Sequence, residues 1–239
     1  LKKSLTTEQI CAHSQLKVNG QKNLKQNKID KKFVYLISPN KITNINFYND
    51  LTLVLSSKKI SFFQLRLKKE TNSNKLIIGK KIKKICKKYD VKFLINDDPL
   101  LAKKLNADGC HLGQKDMDLI KARKILKNKI IGVTCHNSIN LAKRAINDDA
   151  DYLAFGAFYA TKTKTVKYRA SLTVLKSIKK ITPLPIVAIG GIKLNNYKKL
   201  LLNKANFLAI SGYIWNNKKY KPLEAIKKLK WNYTQVKLE

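Results

Sequence analysis

The fold is decided most clearly by residues 92–116, which read KFLINDDPLLAKKLNADGCHLGQKD. Two short apolar runs, KFLIN (92–96) and GCHL (109–112), flank an amphipathic segment near residues 99–105, and polar residues follow each run. Continuously apolar runs are typical of parallel strands that are buried on both faces. The stretch therefore predicts a strand–helix–strand unit with polar side chains at the carboxyl ends of its strands.

The same alternation continues on both sides of this stretch. Further apolar runs lie at 33–38, 61–67, 130–134, 152–155, 185–189 and 207–211, and amphipathic stretches lie near 47–58, 74–89, 116–127, 138–147, 171–180, 195–203 and 223–230. Eight strands, each followed by a helix, in about 200 residues have the count and size of a (β/α)8 TIM barrel. A doubly wound open sheet is the alternative, but it normally has a glycine-rich turn after its first strand, where this chain has SPNK (38–41). We therefore expect an α/β fold, with a TIM-barrel catalytic domain over 33–239.

Composition limits the partners that the chain can have. The 239 residues carry 50 Lys and Arg against 15 Asp and Glu, a net charge of +35, and only four of the basic residues are arginines. The lysines are spread along the whole chain, which favours a solvated surface over a dedicated nucleic-acid face. No apolar run has the ~18 residues that a membrane helix needs. We expect small-molecule partners, with no specific nucleic acid and no membrane.

The ends of the chain and its cysteines carry no recognisable chemistry. Residues 1–32 are polar and basic, and we expect a loose N-terminal extension with no secretory signal. Four well-separated cysteines have no spacing suited to zinc or to a C-x-x-C motif, so we expect free thiols and a cytoplasmic location.

Three polar residues share one face at the end of the second strand. Gln64, Arg66 and Lys68 alternate with leucines, and an unpaired charge inside a hydrophobic strand would be costly. Arg and Lys together favour a multiply charged anion such as a diphosphate. The alternative is a salt bridge to Asp97 or Asp116 with no ligand at all.

Aspartates follow the third and fourth strands. Asp97 and Asp116 offer the hard oxygen ligands that Mg²⁺ prefers, and Mg²⁺ usually bridges carboxylates to substrate phosphates. Asp98 and Asp118 could serve instead, and the pattern does not decide between the pairs.

The last three strands are followed by groups suited to phosphate. Gly190-Gly191 and Ser211-Gly212 can expose backbone N–H groups, and Thr161, Thr163 and Lys164 add hydroxyl and ammonium donors. The alternatives are a tight turn and an ordinary polar loop. His111, Cys135 and His136 lie near strand ends without a glutamate, so little proton-transfer machinery is expected. The set fits departure of a diphosphate and capture of the carbon centre by a second, phosphorylated substrate.

The motifs as an ordered set resemble the thiamine-phosphate synthase family over about residues 33–215. The strings that carry the resemblance are QLRLK (64–68), LINDD (94–98), ADGCHLGQKD (107–116), IIGVTCHNS (130–138), DYLAFGAFYATKTK (151–164), IVAIGGI (186–192) and AISGYIW (209–215). The resemblance implies a TIM-barrel transferase of thiamine biosynthesis that needs Mg²⁺. It joins 4-amino-5-hydroxymethyl-2-methylpyrimidine diphosphate to 4-methyl-5-(2-phosphoethyl)thiazole and releases diphosphate.

The resemblance also implies roles for individual residues. Arg66, Lys68 and Lys164 are implied as catalytic, and Asp97 and Asp116 as the magnesium ligands. Substrate binding is implied for Gln64, Arg66, Lys68, Asn96, Thr134, Thr161, Thr163, Lys164, Gly191, Ile210 and Ser211. Ala157 and Ala160 depart from the family, because many members have proline there.

The sequence is also compatible with two other functions and with a homo-oligomer. A related branch of thiazole tautomerases shares the barrel and has a catalytic histidine after the fifth strand, where this chain has His136. That branch has no need for the Arg66–Lys68 pair and two magnesium ligands. The charge of +35 would also suit a polyanion-binding, degenerate barrel.

Overall fold

The computed structural model describes residues 32–161 and 168–230, in which eight parallel strands alternate with helices. The strands are β1 (Val34–Ile37), β2 (Ile60–Leu65), β3 (Lys92–Asn96), β4 (Gly109–Leu112), β5 (Ile130–His136), β6 (Tyr152–Gly156), β7 (Ile186–Ile189) and β8 (Phe207–Ile210). The helices are α1 (Asn46–Ser56), α2 (Asn72–Lys88), α3 (Pro99–Lys104), α4 (Leu119–Leu126), α5 (Ile139–Asn147), α6 (Leu172–Lys179), α7 (Tyr197–Leu202), α8 (Gly212–Trp215) and α9 (Pro222–Lys228).

The sheet closes on itself, because β1 pairs in parallel with both β2 and β8. The prediction of a (β/α)8 barrel is therefore confirmed, and the open-sheet alternative is wrong. Closure satisfies the backbone groups of both edge strands, and it brings the carboxyl ends of all eight strands to one end of the barrel.

Strands of this barrel are apolar on both faces because each face packs against a different layer. Outward-facing side chains such as Phe63 and Phe93 join the helices in the main core. Inward-facing side chains such as Tyr35, Leu94 and Tyr152 form a second cluster that fills the barrel. Filling of the interior makes the barrel a packed core, so ligands bind at its mouth.

Four of the described helices, α2 to α5, are capped at their N-termini by short polar side chains. The Thr71 hydroxyl accepts a hydrogen bond from the Asn74 backbone N–H at 3.2 Å, and Ser138 accepts one from Leu141 at the same distance. Such caps satisfy N–H groups that have no partner inside the helix. They fix the points at which the chain turns back along the barrel.

Some boundaries differ from the sequence-based expectation. Strand β2 ends at Leu65, so Arg66 and Lys68 lie in the segment that follows it. Helix α4 begins at Leu119, and the four-residue helix α8 was not predicted. None of the helices in the described part of the chain is long and apolar enough to cross a membrane. The predicted extension lies outside the described residues, except for its last residue, Lys32.

Candidate active site

The polar residues at the end of β2 and just after it lie at different depths in the barrel mouth. Gln64 is 3% exposed and faces the barrel interior, while Arg66 is half-buried and Lys68 is exposed. Arg66 Nη1 donates to Asn40 Oδ1 at 3.1 Å, and the Arg66 backbone N–H donates to Ser38 Oγ at 2.9 Å. Burial lowers the pKa of Arg66, and the nearby Asp97 carboxylate opposes that shift. Among the described residues, the Arg66 guanidinium forms no ion pair, so its charge is available to an anion.

Lys68 does form the salt bridge that the sequence left as an alternative. Its Nζ lies 2.7 Å from Asp97 Oδ2. Asp97 leaves β3 with a φ of 66°, in the left-handed region that aspartate tolerates, and its backbone N–H donates to the carbonyl of His111 at 2.8 Å. This turn directs the Asp97 carboxylate towards the end of β2.

Asp97 and Asp116 form a hydrogen-bonded carboxyl pair. Burial and the Asp97 carboxylate raise the pKa of Asp116, whose Oδ2 also accepts the Gly113 backbone N–H at 2.7 Å. Although burial acts in the opposite direction, hydrogen bonds with Asp116 and Lys68 hold the pKa of Asp97 below its ordinary value. Two adjacent carboxyl groups disfavour a second negative charge, and a bound cation relieves that repulsion.

The neighbouring aspartates, Asp98 and Asp118, cap helices. Asp98 caps α3, because its Oδ1 accepts the Leu101 N–H at 2.9 Å. Asp118 caps α4, with its Oδ1 accepting the N–H groups of Ile120 and Lys121 at 3.0 and 3.3 Å. Helix capping therefore accounts for these two side chains, and the Asp97–Asp116 pair remains as the candidate cation ligand set.

That pair suits Mg²⁺ better than a metal held entirely by protein. Within residues 32–161 and 168–230, no group of three or more His, Cys, Asp or Glu side chains is placed to hold a metal. Mg²⁺ retains several waters and commonly binds one or two carboxylates together with substrate phosphates. The chemistry of the two donors therefore fits magnesium.

A cavity of about 260 Å³ adjoins this cluster between the ends of β2 and β3. Its polar lining is provided by Lys68, Lys75, Asn96, Asp97 and Asp98. Lys75, in the first turns of α2, was not singled out from the sequence, because one lysine among many on a helix gives no signal. The cavity gains positive charge from two lysines beside the carboxyl pair.

Residues Asn96, His111 and Thr134 follow one another around the mouth. Asn96 and His111 are paired in the register of β3 and β4. His111 Nε2 lies 2.8 Å from Thr134 Oγ1, and the Thr134 carbonyl accepts Gln114 Nε2 at 2.6 Å. Together with Gln64, these side chains make a polar rim above the packed interior.

The predicted phosphate-binding residues are only partly described. Thr161 is half-buried beyond β6, whereas Thr163 and Lys164 lie outside the described residues. Ile210 is buried at the end of β8, and the next residue, Ser211, donates through Oγ to the Ser38 carbonyl at 3.1 Å. The described groups therefore reach the mouth from β6 and β8.

The glycine pair after β7 gives room to the loop after β6. Gly190 and Gly191 have φ angles of 103° and 63°. A Cβ on Gly190 would lie 2.4 Å from Ala157 Cβ, and one on Gly191 would lie 2.3 Å from the Ala160 carbonyl oxygen. Glycine is thus required here by both backbone conformation and close approach.

The base of the loop after β6, which contains Ala157 and Ala160, is fixed by backbone hydrogen bonds. The Ala157 N–H donates to the Tyr168 carbonyl at 3.1 Å, and the Ala170 N–H donates to the Ala157 carbonyl at 2.9 Å. The Tyr159 N–H also donates to the Gly190 carbonyl at 3.1 Å. The two ends of the loop are therefore held together beside β7.

Two other residues near the mouth have packing partners. The His136 ring lies 4.4 Å from the Tyr168 ring, centroid to centroid. Cys135 is fully buried, and burial raises the pKa of its thiol to about 12. A thiol of that pKa is not a nucleophile at neutral pH. With Cys86 and Cys110, it is one of three free, buried cysteines in the described part of the chain.

The sequence reasoning missed two tyrosines of the barrel interior. In the sequence Tyr35 and Tyr152 are members of apolar strands, and in the structure their hydroxyl groups lie 2.8 Å apart. Their position on the inward face of β1 and β6 follows from strand alternation. The contact between them joins residues 117 positions apart, for which the sequence carries no signal.

Comparison with known proteins gives a consistent result. The family model for thiamine monophosphate synthase matches residues 34–214. A thiamine-phosphate synthase from Pelagibacter ubique is 93% identical over 207 residues, which cover 87% of this chain and 100% of that protein. One from Marinobacter nauticus is 41% identical over 185 residues, covering 75% of this chain and 81% of that protein.

The fold has a solved counterpart in the same family. A thiamine phosphate pyrophosphorylase from Pyrococcus furiosus matches with a TM-score of 0.73 at 26% identity, covering 84% of this chain and 94% of that chain. The family match covers the eight strands, the carboxyl pair and the segments after β6 to β8. On these grounds, the chain belongs to the thiamine monophosphate synthase family.

Proposed function

We propose that the chain catalyses the thiamine-phosphate synthase reaction, a transferase step of thiamine biosynthesis. It joins 4-amino-5-hydroxymethyl-2-methylpyrimidine diphosphate to 4-methyl-5-(2-phosphoethyl)thiazole and releases diphosphate. Family membership supports the reaction. The observation in the structure that carries the proposal is the meeting of opposite charges at one edge of the mouth, with Lys68 Nζ 2.7 Å from Asp97 Oδ2 and Asp97 hydrogen-bonded to Asp116.

The reaction needs charge stabilisation more than proton transfer. The bond between the pyrimidine methylene carbon and the diphosphate oxygen breaks, and its electron pair leaves with the diphosphate. The thiazole nitrogen then donates its lone pair to the methylene cation and forms the new C–N bond. Arg66 and Lys68 stabilise the negative charge that grows on the leaving group, which is the kind of preorganised electrostatic effect that dominates many enzymatic rates. Lys164, outside the described residues, is proposed for the same task.

The remaining residues bind and orient the two substrates. We assign the pyrimidine diphosphate to Gln64, Arg66, Lys68, Asn96 and Thr134, and the thiazole phosphate to Thr161, Thr163, Gly191, Ile210 and Ser211. In the described part of the chain, the first group lies at or just after the ends of β2 to β5, and Thr161, Gly191, Ile210 and Ser211 of the second lie at or after the ends of β6 to β8. Placing the two substrates on opposite sides of one mouth brings the thiazole nitrogen and the methylene carbon together, which lowers the entropic part of the barrier.

Magnesium completes the proposal. Asp97 and Asp116 would hold the ion, whose chemistry is to neutralise charge on the diphosphate. Asp97 would then exchange part of its interaction with Lys68 for the cation, so that the lysine can turn to the substrate. Asp97 and Asp116, which otherwise share a hydrogen bond, would both be able to carry a negative charge beside the ion.

The site is proposed to belong to a cytoplasmic enzyme whose catalytic domain is residues 33–239. The free thiols of Cys86, Cys110 and Cys135 support a reducing compartment. The extension of residues 1–32 is given no part in the chemistry.

The test is a coupling assay with purified full-length chain, both substrates and Mg²⁺, in which thiamine phosphate is followed by fluorescence after oxidation. We expect metal-dependent product from the wild type and none above background from Asp97→Asn. Asp50→Asn, a change in α1 away from the mouth, is the matched control and should keep wild-type rates. Folded wild-type protein that yields no product would contradict the proposal and favour the tautomerase branch through His136. Product from Asp97→Asn at the control rate would contradict the metal assignment alone.

A further inference from the structure

A continuous chain of hydrogen bonds runs across the barrel interior. Gln64 Nε2 donates to Tyr35 Oη at 3.0 Å, Tyr35 Oη lies 2.8 Å from Tyr152 Oη, and Tyr152 Oη lies 2.8 Å from His111 Nδ1. On the far side of the imidazole, His111 Nε2 lies 2.8 Å from Thr134 Oγ1. The chain passes through β2, β1, β6, β4 and β5, and it begins and ends at residues to which we assign the pyrimidine substrate.

The middle of this chain lies in an apolar environment. Tyr35, Tyr152 and His111 are 1%, 3% and 8% exposed, and the ring of Phe62 packs 5.4 Å from that of Tyr35. The Tyr152 ring stacks on His111 at 5.6 Å between centroids. Burial raises the pKa of both tyrosines, so each remains a neutral hydroxyl with one proton to donate. A buried polar group without a partner is costly, so every proton in the chain needs an acceptor.

With Gln64 Nε2 as the first donor and a neutral imidazole, the proton count gives the chain one direction. Because Tyr35 Oη accepts from Gln64, its own proton goes to the neighbouring hydroxyl of Tyr152. Tyr152 Oη accepts that proton, so its own proton goes to His111 Nδ1. The imidazole is then the neutral tautomer with hydrogen on Nε2, which donates to Thr134 Oγ1. The hydroxyl proton of Thr134 is left to point into the mouth.

We infer that Tyr35, Tyr152 and His111 are positioning residues that set the hydrogen-bonding polarity of the two ends, so that Gln64 Oε1 accepts from the substrate while Thr134 Oγ1 donates to it. This inference rests on the proposed function, because it assigns the pyrimidine ring to both ends. An aminopyrimidine offers an amino donor and a ring-nitrogen acceptor, which complement an acceptor and a donor in the protein. The oxo-pyrimidine with N–H in the ring has the opposite polarity, and it would leave polar groups unpaired at both ends.

A glycine in β5 leaves room for this chain of hydrogen bonds. A Cβ on Gly132 would lie 1.8 Å from Cζ of Tyr152, the carbon that bears the hydroxyl group. Glycine at this position of β5 therefore lets the phenol reach across to His111. Gly132 does not have a positive φ, so backbone conformation does not require a glycine here. Glycine is required because the Tyr152 side chain approaches so closely.

The first part of the test is direct observation of the tautomer. The chain has three histidines, and long-range ¹H–¹⁵N correlation spectra distinguish the two neutral tautomers of each ring. The signal of His111 is assigned by its disappearance in His111→Gln. We expect the Nε2–H tautomer in the wild type. The Nδ1–H tautomer or a doubly protonated ring would make Nδ1 a donor to Tyr152, and either result would overturn the inference. This measurement does not depend on activity, so it stands even if the proposed function fails.

The second part tests discrimination between substrates. Tyr152→Phe keeps the ring and removes the hydroxyl that links Tyr35 to His111. Tyr197→Phe is the matched control, because Tyr197 is equally buried and its hydroxyl donates to the Lys230 carbonyl at 2.6 Å away from the barrel interior. The rate ratio kcat/KM for the aminopyrimidine diphosphate over its oxo analogue is measured for wild type and both variants.

For Tyr152→Phe we expect this ratio to fall by about tenfold, the effect of one hydrogen bond. The KM for thiazole phosphate should stay unchanged, and Tyr197→Phe should retain wild-type discrimination. A purely structural role would lower the rates with both pyrimidines alike and leave the ratio intact, and that result would overturn the inference. Active wild type with intact discrimination in Tyr152→Phe refutes the positioning role while the proposed function stands.

Discussion

Replacing Arg66 by methionine is expected to remove activity without destabilising the protein. The guanidinium is half-buried, its side-chain hydrogen bond is the 3.1 Å contact with Asn40, and it forms no ion pair within the described ranges. Loss of one such bond costs about 0.5–1.5 kcal/mol, and removal of a half-buried charge offsets part of that cost. The net change in unfolding free energy should stay within about 1 kcal/mol, or about 2–4 °C in Tm for a chain of this size.

The effect on catalysis should be much larger. Within the described residues Arg66 forms no ion pair, although the Asp97 carboxylate lies near, so its charge is preorganised for the departing diphosphate. Removal of one such electrostatic contact lowers the rate by about 10²- to 10³-fold. The assay is kcat/KM for the pyrimidine diphosphate, measured beside thermal unfolding by circular dichroism. Arg144→Met, at an exposed position of α5, is the control and should change neither quantity.

Two results would refute this reasoning. A near-normal kcat/KM would show that Arg66 does not stabilise the leaving group. A large fall in Tm that accompanies the loss of activity would show that the arginine is a structural residue whose charge is satisfied by the protein.

Further predictions concern the barrel, the metal and the surface charge. Arg123→Met should lower the free energy of unfolding by about 3 kcal/mol and Tm by about 6–12 °C, because Arg123 Nη2 lies 2.6 Å from Asp151 Oδ2 in a largely buried ion pair. Thermal unfolding measures this loss, and the specific activity of the folded fraction should be normal. Gly132→Ala should cost about 1–3 kcal/mol by overpacking against Tyr152, measured as a lower denaturant midpoint; wild-type stability would mean that the ring moves aside freely. EDTA should abolish turnover. Asp116→Asn should raise the Mg²⁺ concentration that gives the half-maximal rate by about tenfold or more. An unchanged magnesium dependence would contradict the assignment of the carboxyl pair as the metal ligands. Filter binding of random RNA should weaken by about 10³-fold or more between 50 and 200 mM salt, whereas affinity that persists at the higher salt would favour the polyanion-binding barrel.

The sequence was sufficient for the fold because the pattern of each strand is local. KFLIN and GCHL appear as β3 and β4 with the boundaries that the apolar runs predict. A parallel strand buried on both faces must be apolar along its length, and this requirement leaves a mark in consecutive residues. Once eight such strands alternate with helices, closure places their polar ends at one mouth, and the family resemblance then names the reaction.

The local contacts of the four aspartates needed the structure, although the family resemblance had already implied Asp97 and Asp116 as the magnesium ligands. Four acids stand near the ends of β3 and the start of α4, and their spacing is equally compatible with several pairs. In the structure, Asp98 and Asp118 cap helices, whereas Asp97, at a positive φ, has its carboxylate beside Lys68 and Asp116. A cap and a cation ligand require the same residue type, so composition alone does not separate them.

The hydrogen-bond chain could not be predicted from the sequence, for a different reason. Tyr35 and Tyr152 look like ordinary aromatic members of buried strands, and His111 looks like an isolated polar residue. Their hydroxyl and imidazole groups meet only because the sheet closes and the inward faces of β1, β4 and β6 point at one another. Local patterns of hydrophobicity therefore determined the barrel. The hydrogen bonds and ion pairs at its mouth join residues that are distant in the sequence, so they depend on closure of the sheet and on the direction of each side chain, which only the tertiary structure decides.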